Sequence, residues 1–150
     1  MKNHRITKDE YYLKIAEAVL ERSTCLRRRY GAVIVKNDEI ISTGYNGAPR
    51  CVENCSDIGS CEREMLGVPK GEKYELCRAV HAEQNAIISA SRRDMQGATI
   101  YIVGKEVETG AYANPSPCLI CERMIANAGI DKCIGLVDGV PKEIKLLNQK

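Results

Sequence analysis

Tyr12, Ile15, Ala16, Val19 and Leu20 recur at the spacing of one helical face. Thr7 and Glu10 bracket the start of that run as a capping box. Together they predict a first helix over about 8–23. The period then changes. GAVIVKNDEIISTGYNG reads as a hairpin, with a buried strand at Ala32–Val35, a turn at Asn37-Asp38 and a return strand at Glu39–Tyr45. Residues 46–76 lack periodicity and are rich in Gly, Pro, Cys and charge. So long a segment inside a compact domain is usually functional or pinned by something.

Periodicity resumes at His81. Ala82–Ser91 is apolar on one side and is followed by Arg92 and Arg93, cations that suit a helix C-terminus, before Gly97 breaks the pattern. Ala98–Val103 reads as a strand and 104–117 as a loop ending in Pro115-Ser116-Pro117. Cys118–Ala128 reads as a helix stopped by Gly129, Lys132–Val137 as another strand and the polar tail as helical. This order predicts a sheet covered by helices on both faces. The 150 residues fit one domain, 1–150, with a Cys-rich inserted loop at about 47–77.

Phe and Trp are absent, so the core rests on Ile, Leu, Val, Ala and Tyr. Lys plus Arg total 22 and Asp plus Glu 20, a net charge of +2 that does not suggest a partner in nucleic acid or a membrane surface. The opening MKNHRITKDE lacks the apolar run of a signal peptide, and no stretch approaches the roughly 18 apolar residues of a membrane span. The expected location is therefore the cytosol. Disulfides are disfavoured there, which leaves eight cysteines to explain. A buried free thiol is the plain reading of any one of them. Eight together, with one CxxC pair, point to metal ligation.

PSPCLIC places Cys118 and Cys121 three residues apart at a helix start, about 60° apart around the axis, so both sulfurs face one way. A helix N-terminus favours thiolate, the metal-binding form. A dithiol redox pair also fits a CxxC at a helix start. That motif, however, normally follows a strand closely and needs no His-x-Glu elsewhere. In CRAVHAEQNAI, His81 and Glu83 would lie about 200° apart within a helix. They converge only in a first turn, reaching past its end. Taken alone, His81 reads as a capping or surface histidine and Glu83 as an acid favoured at a helix start.

Joined to PSPCLIC, they read differently. His81, Cys118 and Cys121 make three ligands with a fourth position open, the catalytic form of a zinc site. Two thiolates neutralise the ion and leave its water less acidic, so a nearby carboxylate must take the proton. Glu83 suits that role, close without being a ligand. H-x-E followed by P-C-x-x-C is an established signature of zinc nucleobase deaminases.

On these residues the chain resembles the cytidine deaminase superfamily. His at the first ligand position points away from the free-cytidine branch. RRRYGAVIV, GYNGAP, the Cys-rich loop and CRAVHAEQNAI resemble the deoxycytidylate (dCMP) deaminases, from about Arg22 to Val137. The resemblance implies a three-layer α/β/α sandwich around a mixed sheet of about five strands. It also implies zinc-dependent hydrolysis of dCMP to dUMP and ammonia, supplying dUMP for thymidylate synthesis. By the same resemblance, Glu83 moves protons between water, ring and leaving amine, Ala82 offers its backbone N–H to the base carbonyl, and the Ser116 carbonyl accepts from the amino group. Asn46 of GYNG matches a residue that touches the sugar, though by itself it also reads as a turn residue before Gly47.

The 5′-phosphate needs cations. Arg27, Arg28, Arg29 and Arg50 are candidates, Arg27 first, although an arginine run is usually a solvated surface. The resemblance further implies a homo-oligomer, hexameric, with dCTP activating and dTTP inhibiting. Relatives carry a second, structural zinc near the substrate loop. Cys25, Cys55, Cys61 and Cys77 are the ligands this chain offers, with Cys51 as a spare. Cys133 falls in a strand and reads as core. Cys51 also departs from the family pattern, which has Gly after Ala48-Pro49-Arg50. If that position has positive φ, Cys is strained there.

Rival readings are a deaminase of tRNA, one of guanine or a riboflavin precursor, and a non-catalytic zinc module. A tRNA enzyme should carry a basic C-terminal surface, whereas PKEIKLLNQK is short and only mildly basic. A purely structural module leaves the carboxylate beside an open three-ligand site unexplained.

Overall fold

The structure, a computed structural model, describes residues 4–69 and 76–149. Part of the inserted loop, 70–75, therefore lies outside the described residues. Helix α1 (Lys8–Leu20) begins at the expected capping box: the Glu10 N–H donates to Thr7 Oγ1 at 3.1 Å. It buries Tyr12, Leu13, Ala16 and Leu20. The helix ends short of the expected 23. Ser23 and Thr24 instead bond to Asn46, the first through its hydroxyl and the second through its backbone N–H.

Among the described residues, six strands form one sheet, in line with the expected mixed sheet of about five. They are β1 (Arg28–Lys36), β2 (Glu39–Tyr45), β3 (Thr99–Glu106), β4 (Tyr112–Ala113), β5 (Lys132–Val137) and β6 (Val140–Ile144). The order is β2-β1-β3-β5-β6, with β4 paired to β3. β3 runs antiparallel to β1 and parallel to β5, so the sheet is mixed. Between β3 and β5 comes α6 (Leu119–Ala128), the crossover that a parallel pair requires. Successive side chains alternate between the faces. Val33, Val35, Tyr101, Val103 and Ile134 pack with α1. Ala32, Ile34, Ile100, Ile102 and Cys133 pack with Ile125 of α6 and with Ala82 and Ala86 of α4 (Ala82–Ile88). That alternation makes the three layers.

Four sequence expectations change. The helix expected over Ala82–Ser91 stops at Ile88, because the Ser91 hydroxyl caps a separate short helix, α5 (Arg92–Met95), by accepting from the Asp94 N–H at 3.2 Å. Arg92 and Arg93 thus begin one helix instead of ending another. The described part of the segment 46–76 contains two single-turn helices, α2 (Cys55–Ile58) and α3 (Glu62–Met65). The loop expected over 104–117 includes the end of β3 and all of β4. The tail is β6 followed by a 3-10 turn at Leu147–Gln149, where a helix was expected. Asp138 (φ 50°) and Gly139 (φ 78°) close the β5–β6 hairpin as Asn37 (φ 51°) and Asp38 (φ 62°) close β1–β2.

Gly44 brings the outer layer down onto the sheet. A Cβ there would lie 2.4 Å from both the Ala82 carbonyl oxygen and the Ala86 nitrogen. Both obstacles are helix backbone, so nothing can swing aside. The GYNG stretch holds α4 further along as well. Asn85 Nδ2 donates to the Tyr45 carbonyl at 2.8 Å, and Gly47 and Val80 exchange backbone bonds at 3.1 and 2.7 Å.

Candidate active site

The pinned end of α4 carries the site. His81 is the N-cap of α4 and Cys118 the N-cap of α6, so two helix starts face one cavity of about 120 Å³. His81 Nδ1 lies 3.3 Å from Cys121 Sγ and 3.6 Å from Cys118 Sγ. Among the described residues, these three form the one group of His, Cys, Asp or Glu whose donor atoms all lie within 4.8 Å of one another. A tetrahedral zinc with ordinary Zn–N and Zn–S bonds sets N and S about 3.6 Å apart. The donor set fits zinc in chemistry and in spacing.

The electrostatics agree. The Cys118 thiol is brought down to about 4, first by its hydrogen bond with Cys121 and then by His81. Cys121 is pushed up by the same bond and by burial. A bound cation takes both sulfurs as thiolates and releases the protons they hold. His81 is shifted up, chiefly by its bond to Cys118. Its N–H donates to Gln84 Oε1 at 2.9 Å, which fixes the entry to α4.

Glu83, 6% exposed, also lines the cavity, and burial raises its carboxyl above the ordinary range. Ala82 lines the cavity as the first residue of α4, where a backbone N–H has no acceptor within the helix. Ser116 lies on the opposing loop and lines the cavity too. Asn46 is more constrained than its motif suggests. Its Oδ1 accepts from Ser23 Oγ at 2.5 Å and from the Tyr30 N–H at 2.8 Å, while Nδ2 donates to the Arg28 carbonyl at 2.9 Å. One N–H remains to reach a ligand.

Of the four expected phosphate arginines, Arg27 and Arg28 line the cavity, whereas Arg29 and Arg50 do not. Arg27 Nε pairs with Glu64 at 3.0 Å and Arg28 Nε with Glu106 at 2.9 Å. A third lining arginine, Arg63, escaped the sequence reading, because charge in an aperiodic loop looks like solvated surface.

Cys25, Cys61 and Cys77 line the same cavity. Cys55 is buried nearby, and its thiol is raised by burial and then by Cys25, Cys77 and Cys61. Among the described residues, the sulfurs of these four do not gather as tightly as the donor atoms of the His81 group. Cys51 is exposed at φ 66°, the conformation in which a side chain is strained. Such a residue costs about 1 kcal/mol. Cys51→Gly is therefore expected to melt about 3 °C higher with unchanged turnover, read by a thermal scan.

Hydrolytic removal of an amino group on zinc requires three protein donors with a proton acceptor held next to them, and that pairing places the chain among the zinc-dependent deaminases. Residues 6–137 match the cytidine and deoxycytidylate deaminase zinc-binding region, and the chain belongs to that family. It is 40% identical over 131 residues to the deoxycytidylate deaminase of Mycobacterium phage D29, covering 84% of this chain and 91% of that protein. Identity to the deoxycytidylate deaminase of Schizosaccharomyces pombe is 33% over 126 residues, covering 84% of this chain but 36% of the yeast protein. The chain thus spans about a third of the yeast relative's length and nearly all of the phage one. The dCMP deaminase of cyanophage S-TIM5, solved with dCMP and dUMP, superimposes with a TM-score of 0.60 at 28% identity, over 87% of this chain and 83% of that one.

Proposed function

We propose that this protein hydrolyses dCMP to dUMP and ammonia. The observation that carries the reading is a buried glutamate beside a three-ligand zinc site whose donors leave one position open, in a chain that aligns over most of its length with deoxycytidylate deaminases. When bound, zinc supplies the Lewis acidity that makes water nucleophilic near neutral pH. The chain does the rest. His81, Cys118 and Cys121 hold the ion. Glu83 takes one proton from the attacking water and passes it to ring N3, then carries the second water proton to the departing amine, so ammonia leaves, C4 keeps the oxygen and the carboxylate ends as it began. Burial raises its carboxyl and moves its proton affinity toward working pH. The Ala82 N–H and the Ser116 carbonyl orient the base, and the remaining N–H of Asn46 meets the sugar. Arg27 contributes to holding the phosphate.

The reading extends to a cytosolic homo-oligomer, hexameric, with dCTP activating and dTTP inhibiting. Its support is the family resemblance of the GYNG segment and the inserted loop. Among the described residues, no helix is long and apolar enough to cross a membrane. A second zinc held by Cys25, Cys55, Cys61 and Cys77 accounts for three cysteines on the cavity wall with Cys55 buried close enough to feel them. Two zinc ions per chain after gentle purification would support it, and one would remove it. The activity itself is tested by ammonia release from dCMP, CMP, deoxycytidine and guanine, each with and without dCTP. Turnover of dCMP above the others is expected. No turnover of dCMP under either condition would overturn the reading.

A further inference from the structure

We infer that Tyr30, in β1, is a positioning residue for this reaction: through Asn114 it sets the Ser116 carbonyl that accepts from the amino group, and so lets the site tell substrate from product. The inference rests on the dCMP reading above and deepens it at the base.

Tyr30 lines the cavity together with Asn46 and Ser116 and is bonded toward both. Its backbone is fixed to Asn46. The Tyr30 N–H donates to Asn46 Oδ1 at 2.8 Å, and the Asn46 N–H donates to the Tyr30 carbonyl at 3.4 Å. Its side chain lies on the α4 and α6 face of the sheet, against the cluster that holds Ala32 and Ile125. Opposite Tyr30 in the β1–β3 ladder is Gly104, and a Cβ there would run into the tyrosine ring. The missing side chain lets the ring lie across β3. The hydroxyl then reaches the residue that follows β4 and donates to the Asn114 carbonyl at 2.9 Å.

Asn114 passes the constraint on. Its Oδ1 accepts from the Ser116 N–H at 3.0 Å, which closes a turn around Pro115. Pro115 is buried over Gly135 of β5, where a Cβ would lie 2.5 Å from Pro115 Cγ. Pro115 and Pro117, each with φ held by its ring, flank Ser116. The turn is therefore stiff within itself, and Tyr30 ties it to β1. A carbonyl aimed at the amino group separates dCMP, which offers N–H donors there, from dUMP, which offers an oxygen. A displaced carbonyl loses that contrast, while contacts elsewhere on the nucleotide stay as they were. The other face of β4 is anchored separately: Tyr112 donates its hydroxyl to Glu17 Oε1 of α1 at 2.6 Å.

The test uses zinc-loaded protein and reads kcat/KM for dCMP beside the inhibition constant of dUMP. Tyr30→Phe keeps the ring and removes only the hydroxyl. It is expected to lower kcat/KM for dCMP about fivefold, while the dUMP constant moves less than about twofold. Asn114→Ala should give the same one-sided loss. Asn114→Asp, which keeps an acceptor for the Ser116 N–H, should recover most of it. Tyr112→Phe is the control and should leave both constants within about twofold of wild type. A tyrosine that merely holds the fold would weaken dCMP and dUMP together on losing its hydroxyl, and that result would overturn the assignment. So would an unchanged dCMP value, or a one-sided loss in Tyr112→Phe as large as that in Tyr30→Phe. If Tyr30→Phe folds poorly, the Asn114 pair decides: a one-sided loss restored by aspartate supports the assignment, and equal loss for both nucleotides overturns it. Wild type that does not turn over dCMP would sink the dCMP reading itself, whereas active wild type beside an unaffected Tyr30→Phe sinks Tyr30 alone.

Discussion

Glu83→Gln is expected to lower turnover of dCMP by about 10³- to 10⁴-fold while leaving zinc bound. The amide keeps the shape of the side chain but cannot accept the water's proton or pass it to the amine. Because Glu83 is not in the donor set, metal content should stay at the wild-type value. The same variant has a thermodynamic signature. Burial raises the Glu83 carboxyl in the folded chain above its unfolded value. Below the ordinary carboxyl range both states are protonated, and the residue is neutral with respect to folding. As pH rises, the unfolded chain ionises first, so the wild type loses stability that glutamine does not lose. Metal-free Glu83→Gln should therefore melt above metal-free wild type at pH 7, with the gap closing toward pH 4. An equal or lower melting temperature at pH 7 would contradict the burial argument. Full retention of deaminase activity would contradict the mechanism.

Cys121→Ser should empty the site and remove activity, a fall on the order of 10⁴-fold or more, because water then lacks the activation that a bound cation supplies by lowering its pKa. Cys121 is fully buried and supplies a sulfur 3.3 Å from His81 Nδ1. A serine hydroxyl does not ionise there, and a buried cation loses both a bond and a compensating charge. Cys133→Ser is the control. Cys133 is equally buried, in β5, but stands outside the donor set. It should lose stability and keep its zinc. Metal analysis of the two proteins separates them, and equal zinc loss in both would contradict the ligand assignment.

The ligand trio was legible because it is written in local chemistry. CxxC and HxE are short, and each becomes compelling only at a helix start, which Pro117 and the aperiodic stretch before His81 both signal. The strands were legible where alternation was strong, in Ala32–Val35 and Ala98–Val103. What escaped depends on contacts distant in sequence or on signals passed over. Helix α1 stops at Leu20 because Ser23 and Thr24 are claimed by Asn46, on the far side of a hairpin. Ser91 looked like the end of a helix and is the cap of the next. Asp138-Gly139 is a hairpin signal that was available in the sequence and outweighed by the polarity of the tail. Arg63 could not have been found by spacing, since only the folded inserted segment turns a loop arginine into the wall of a cavity.

On this reading His81, Cys118 and Cys121 hold a zinc ion left open for chemistry beside Glu83. A crystal of Glu83→Gln soaked with dCMP, measured on both sides of the zinc edge, tests it most directly. One anomalous peak is expected about 2.1 Å from His81 Nδ1 and about 2.3 Å from each of the two sulfurs, with no fourth protein ligand and the pyrimidine ring in the cavity. No peak at these three residues, or a peak closed off by a fourth protein ligand, would contradict it.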